Sequence, residues 1–177
     1  DWGTQFGKLV YAYKQWGDKK KIAENPIKEL NELYVRFHEE AEKNPEVEDK
    51  AREIFRKMEE GNKKLLNLWA KFKKISIAEF KKTYERLGIK FDTYLGESYF
   101  AGETDKIVEE CLEKKLAKKD GETGAITMED LEGLPSFLLR KKDDSGLYIT
   151  RDLATLIFRV EVFEPDDILY VVGDEQS

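Results

Sequence analysis

Almost half of this chain carries its apolar residues at three- and four-residue steps, the spacing of a helix face. The longest such run extends from about Glu46 to Lys74 through Ala51, Ile54, Phe55, Met58, Leu65, Leu66, Leu68, Trp69 and Phe72. Only Gly61-Asn62 interrupts it, so it predicts one long or kinked helix. Before it, Phe6, Leu9, Val10, Tyr13 and Trp16 mark a short amphipathic helix ended by Gly17. A Lys-rich turn then leads to Pro26, which opens a second helix with Leu30, Leu33, Tyr34 and Phe37 on one face and Asn44-Pro45 as its stop. Ser76 with Glu79 reads as a capping box opening a further helix that Gly88 closes. Three or four successive helices form a bundle-like unit.

The period then changes. IKFDTYLGESYF alternates as a strand does and breaks at Gly96, and ETDKIVEECLEKKLAKKDG returns to helix before a loop rich in Gly and Asp. FLLRKKDDSGLYI predicts two short strands around an Asp143-Asp144-Ser145-Gly146 turn. Thr150 is the expected N-cap of a helix over DLATLIFRVEVF, Pro165 ends the following loop, and ILYVV is expected to be a buried strand. Helix followed by apolar strand points to an α/β layer with parallel strands.

Composition limits the chemistry. One Cys and one His among 177 residues do not supply a zinc site or a Cys-His pair. Cys111 falls on an apolar helix face and is expected to be a core thiol, and His38 a satisfied or solvated helix residue. A net charge of -6 argues against a broad grip on nucleic acid, although local patches are compatible with it. The lysines between 63 and 82 are candidates to face RNA, against the plainer reading of a solvated charged face. No apolar run approaches the roughly 20 residues of a membrane span. The start, Asp1-Trp2-Gly3, carries neither Met nor a signal region, which suggests a piece of a longer protein.

The end of the chain holds the candidate site. Asp152 is expected in the first turn of its helix, Tyr148 just upstream, and Gln176 past the carboxyl end of ILYVV, where open α/β sheets bind ligands. A carboxylate, a phenol and an amide converging there suit a cationic ligand rich in N–H donors. The competing reading makes Asp152 a helix-start residue, Tyr148 a hairpin packer and Gln176 a loop residue.

Four blocks favour the first reading. Asp1-Trp2-Gly3-Thr4-Gln5-Phe6-Gly7, FDTYLGES at 91 to 98, LYITRDLATLIFR at 147 to 159 and PDDILYVVGDEQ at 165 to 176 resemble, in order, successive blocks of arginyl-tRNA synthetases. The resemblance is weakest in the helices from 23 to 75. It implies an α/β fold, part of a class I synthetase Rossmann-like nucleotide-binding fold with a large, mainly helical insertion. Residues 1 to about 22 would end its first half, 23 to 140 form the insertion, and 141 to 177 begin the second half. It also implies that Tyr148 and Asp152 recognise the guanidinium of L-arginine, that Gln176 contacts the region of its α-amino group, and that the parent is a cytoplasmic ligase using ATP, with Mg2+, and tRNA for arginine. The family's HIGH-type motif and the asparagine of its arginine pocket would precede Asp1, and its KMSKS-type loop would follow Ser177, so the chain alone is expected to be inert. A non-catalytic RNA- or protein-binding helical module is the alternative. Lysine as the substrate satisfies the same charge argument, and there the Y-x-T-R-D block favours arginine.

Overall fold

The computed structural model describes residues 1–130, 136–141 and 148–173, with backbone only at 148. The chain divides into two compact units, Asp1–Tyr94 and Leu95–Ser177.

The first unit is helical: α1 (Thr4–Trp16), α2 (Lys19–Glu24), α3 (Pro26–Lys43), α4 (Glu46–Glu59) and α5 (Lys63–Arg86). Its core gathers Ala12, Leu33, Phe37, Val47 and Ala51, with Leu9, Tyr11 and Trp16 packed against it. Trp2 is buried edge-on against both Phe55 and Trp69, and the Trp69 indole donates to the Asp1 carbonyl at 2.9 Å. Helices α1 and α4 approach closely because Gly7 has no side chain. A Cβ there would stand 2.2 Å from the Ala51 carbonyl oxygen. Lys8 reaches Glu48 across the same pair of helices at 2.8 Å.

Three local expectations change in this unit. The Lys-rich turn is helix α2, because Asp18 caps it by accepting from the N–H groups of Lys20 at 2.7 Å and Lys21 at 3.4 Å. The long run is two helices. Gly61 takes a φ of 85°, open to glycine, and the Asn62 side chain accepts from Leu65 N–H at 3.2 Å to start α5. The Ser76 capping box is unused: α5 runs through it without a break, and Glu79 pairs instead with Lys82 at 2.6 Å. Gly88, at a φ of 68°, does close the helix, with Ile89 N–H returning to the Tyr84 carbonyl at 2.9 Å. His38 is exposed beside Tyr34 and Phe37, as a solvated helix residue.

The second unit contains α6 (Glu97–Phe100), α7 (Thr104–Glu113), β1 (Ala117–Lys119), β2 (Ile126–Met128), β3 (Leu138–Arg140) and α8 (Tyr148–Phe163). The strands form an antiparallel sheet in the order β1-β2-β3, with Ala117 opposite Met128, Ile126 opposite Arg140, and an irregularity between Ile126 and Thr127. Helices α7 and α8 enclose its core: Ile107, Val108, Cys111, Ala117, Ile126, Met128, Leu139 and Ala154. Cys111 is the expected core thiol, and burial pushes its pKa up.

Here too the structure corrects the sequence reading. Residues 89–95 form no strand, and Glu97–Phe100 is a short helix. The helix after Thr104 stops at Glu113, where Lys115 turns to a φ of 57° and Leu116 N–H bonds to the Cys111 carbonyl at 2.8 Å; Ala117–Lys119 can then extend as β1. The Gly- and Asp-rich loop is a hairpin turn. Asp120 ties it by accepting from the N–H groups of Glu122 at 3.2 Å and Thr123 at 2.7 Å and from the Thr123 hydroxyl at 2.7 Å. Of the predicted hairpin, Leu138–Arg140 is a strand, the Asp143–Gly146 turn lies outside the described residues, and Tyr148 and Ile149 are helical rather than extended. Residues 164–173 carry no regular secondary structure, and Leu169 and Val171 are 88% and 96% exposed. An apolar strand needs neighbours for its backbone groups as well as its side chains. Among the described residues none pairs with ILYVV.

The Gly7 contact makes a stability prediction. Gly7→Ala forces a methyl into backbone and should destabilise the chain by at least about 1–3 kcal/mol. Gly102→Ala, whose added methyl would meet nothing within 4 Å, should stay within about 0.5 kcal/mol. Urea unfolding of both variants, followed by circular dichroism, makes the comparison.

Candidate functional site

The seat of α8 is set by Thr150. Its side chain is fully buried and its hydroxyl donates to the Leu139 carbonyl of β3 at 2.5 Å. The expected N-cap is therefore an anchor inside the helix, because the helix begins two residues earlier. Asp152 moves with it. It lies beyond the first helical turn, where the free N–H groups and the dipole that favour a carboxylate have largely faded.

The electrostatics agree with that placement. The Asp152 carboxyl is half-buried and its pKa is raised, first by burial and then by the negative charge of Glu97; Arg151 and Arg159 oppose the rise. Neither arginine neutralises it. The Arg151 guanidinium turns to Glu97, with Nε donating to Oε2 at 3.3 Å, and both side chains are largely shielded. Arg159 lies over the Tyr170 ring, 5.3 Å from its centroid. Among the described residues no Lys or Arg nitrogen comes within ion-pair distance of Asp152, so the two arginines offset its partial desolvation only in part.

Of the three residues singled out in sequence, the structure thus describes one side chain. Tyr148 is the first residue of α8, one turn before Asp152, and its side chain lies outside the described set. Gln176 also lies outside the described residues. No sequence pattern singles out Glu97, Arg151 or Arg159. All three stand in the blocks that resemble the family, but 54 residues separate Glu97 from Arg151 and no spacing rule joins them. They meet because α6 packs on α8, with Phe158 edge-on to Tyr99 and Phe100. A groove of about 480 Å³ opens further along α8, lined by Arg159, Phe163, Pro165 and the apolar residues Ile168–Val172; Asp152 does not line it. Among the described residues no group of three or more His, Cys, Asp or Glu could hold a metal ion, and no helix is long and apolar enough to cross a membrane.

Known proteins match this arrangement along its whole length. Residues 1–177 match the family described as tRNA synthetases class I (R), catalytic domain. The chain belongs to that family. It is 46% identical over 178 residues to an arginine-tRNA ligase of Clostridium acetobutylicum, covering 100% of this chain and 31% of that protein. It is 44% identical over 176 residues to that of Clostridium perfringens, covering 99% of this chain and 31% of the relative. The chain thus spans about a third of the length of the relatives it matches. The crystal structure of arginyl-tRNA synthetase from Plasmodium falciparum shares its fold at a TM-score of 0.78 and 24% identity, over 99% of this chain and 29% of the other. The α/β, mainly helical architecture is therefore that of a class I synthetase catalytic domain.

The charge arrangement predicts a titration. Asp152 should protonate above the usual carboxylate range, and Glu97→Gln, which deletes the neighbouring negative charge, should move that midpoint down towards ordinary values. Carboxyl-carbon NMR across an acid titration reads both. The folded carboxyl holds its proton more tightly than the unfolded one, so ionising Asp152 weakens the fold as pH rises through this range. A bound cation requires the ionised form, so its affinity should gain over the same rise.

Proposed function

We propose that this chain is a central part of the catalytic domain of an arginine-tRNA ligase, and that Asp152 receives the guanidinium of L-arginine, with Tyr148 and Gln176 completing the pocket. One observation carries the reading: a half-buried carboxylate whose neighbouring arginines are engaged elsewhere, one by Glu97 and the other against Tyr170. Such a group is costly in isolation and gains a charge-assisted, bidentate partner when a guanidinium arrives. Both bacterial relatives are named arginine-tRNA ligases, which supports the choice of cation.

In the parent, ATP would activate arginine, with Mg2+ accompanying the phosphates, before transfer to the 3' end of its tRNA. Phosphate-handling groups of the HIGH and KMSKS type do not occur in these 177 residues. Activation depends on orienting ATP and stabilising charge on its phosphates, so the isolated chain is expected to be inert. Within the parent, residues 1 to about 22 would close the first half of the nucleotide-binding fold, 23 to 140 the insertion, and 141 to 177 would open the second half. The parent is expected to act in the cytoplasm.

Aminoacylation by the intact parent, offered arginine, lysine, glutamine and cysteine in parallel with total tRNA, tests the reading. Charging with arginine alone is expected. Asp152→Ala should raise the arginine KM by about 30-fold or more, equivalent to about 2 kcal/mol or more for a desolvated charge partner. An unchanged arginine dependence in that variant would remove Asp152 from the pocket.

A further inference from the structure

Charge is divided unevenly along the chain. Of its 31 Lys and Arg and 37 Asp and Glu, residues 1–94 hold 21 and 17, and residues 95–177 hold 10 and 20. Helix α5 concentrates the excess, with eight Lys or Arg against two Glu, and it has no acid between Lys63 and Ala78. Lys64, Lys71, Lys74 and Lys81 stand at alternating steps of seven and three and form one exposed stripe. At 1.5 Å per residue the stripe is about 25 Å long.

A merely solvated face would carry mixed charges, as α4 does. There Arg52 pairs with Asp49, and Arg56 with Glu53 and Glu60. Among the described residues no carboxylate lies within ion-pair distance of Lys64, Lys71, Lys74 or Lys81. The Lys81 ammonium sits over the Tyr94 ring, 4.7 Å from its centroid. Tyr94 belongs to a cluster with Tyr84 and Phe91, whose ring centroids lie 4.9 to 6.5 Å apart. Phe91 and Tyr94 are 49% and 39% exposed. Unpaired lysines at regular intervals, ending at exposed rings, make an electrostatic track with a stacking platform.

We propose that the lysine stripe of α5 and the Phe91–Tyr94 cluster are an RNA-docking surface, in which the lysines follow the phosphate backbone and the rings receive unpaired bases. That the RNA is the parent's own tRNA rests on the ligase reading; the surface itself rests on the charge and the rings. Acidic protein is the other polyanion such a stripe could attract, and the exposed aromatic pair favours RNA because bases offer a stacking face.

The test compares two variants of the chain with equal loss of charge, Lys64→Gln/Lys71→Gln/Lys74→Gln/Lys81→Gln and Lys14→Gln/Lys19→Gln/Lys43→Gln/Lys50→Gln. Gln keeps the helix propensity of Lys, and circular dichroism verifies the fold. Fluorescence anisotropy reads binding to labelled unfractionated tRNA across a salt series, with polyglutamate as competitor. The stripe variant should bind about tenfold or more weakly at about 0.1 M salt, with the slope of log affinity against log salt shallower by about 3; the other variant should lose far less. Phe91→Ala/Tyr94→Ala should weaken a hairpin RNA with a single-stranded 3' tail more than a blunt one. Equal losses in the two lysine variants, no RNA binding by the unmutated chain at low salt, or tighter binding of polyglutamate would each overturn the assignment. A parent that fails to charge arginine while the stripe variant still loses RNA would overturn only the ligase reading.

Discussion

The buried hydrogen bond from Thr150 to the Leu139 carbonyl helps decide where α8 sits on the sheet, and the positions of Arg151 and Asp152 follow from it. Leu139 is itself wholly buried in the core of the second unit, so its carbonyl is out of reach of water and its bond is correspondingly hard to exchange. Ala154, one turn on, packs into the same core. With those two positions fixed inward, Arg151 and Asp152 between them stand toward the margin, where one finds Glu97 and the other has no ion-pair partner among the described residues.

The opening block of the chain has a different task. Trp2 fills the space between Phe55 and Trp69, the Asp1 carboxylate pairs with Lys73 at 2.5 Å, and Gly7 allows α1 to reach the backbone of α4. This block, one of the four that resemble the family in sequence, is thus explained in this structure by packing. The block around residue 150 combines both roles, with Thr150 as anchor and Asp152 as the charge. The two units also differ in sign, the first positive through α5 and the second acidic, so a mean over the chain concealed both surfaces.

Periodicity alone placed α1, α3 and α8, because each buries one long apolar face and has a clear breaker nearby, such as Gly17, Pro26 or Pro165. It could not decide where weak local signals competed. Ser76 and Glu79 match a capping box, yet a helix already capped by Asn62 has nothing to stop it there. LAKK follows a helical pattern without interruption, and becomes β1 because Ile126–Met128 is available to pair with it. ILYVV has strand composition and lacks a partner among the described residues.

For the site, the sequence by itself determined the identity of the family and the acid, since Asp152 and its block are legible as residues in order. Tertiary structure alone decided that Arg151 belongs to Glu97, that Arg159 belongs to Tyr170 and that Asp152 is partly desolvated with no ion-pair partner among the described residues. Local order fixes which groups are present, whereas the Coulomb energy that tunes them depends on distance and burial. Contacts that close over 54 residues are set by how helices pack.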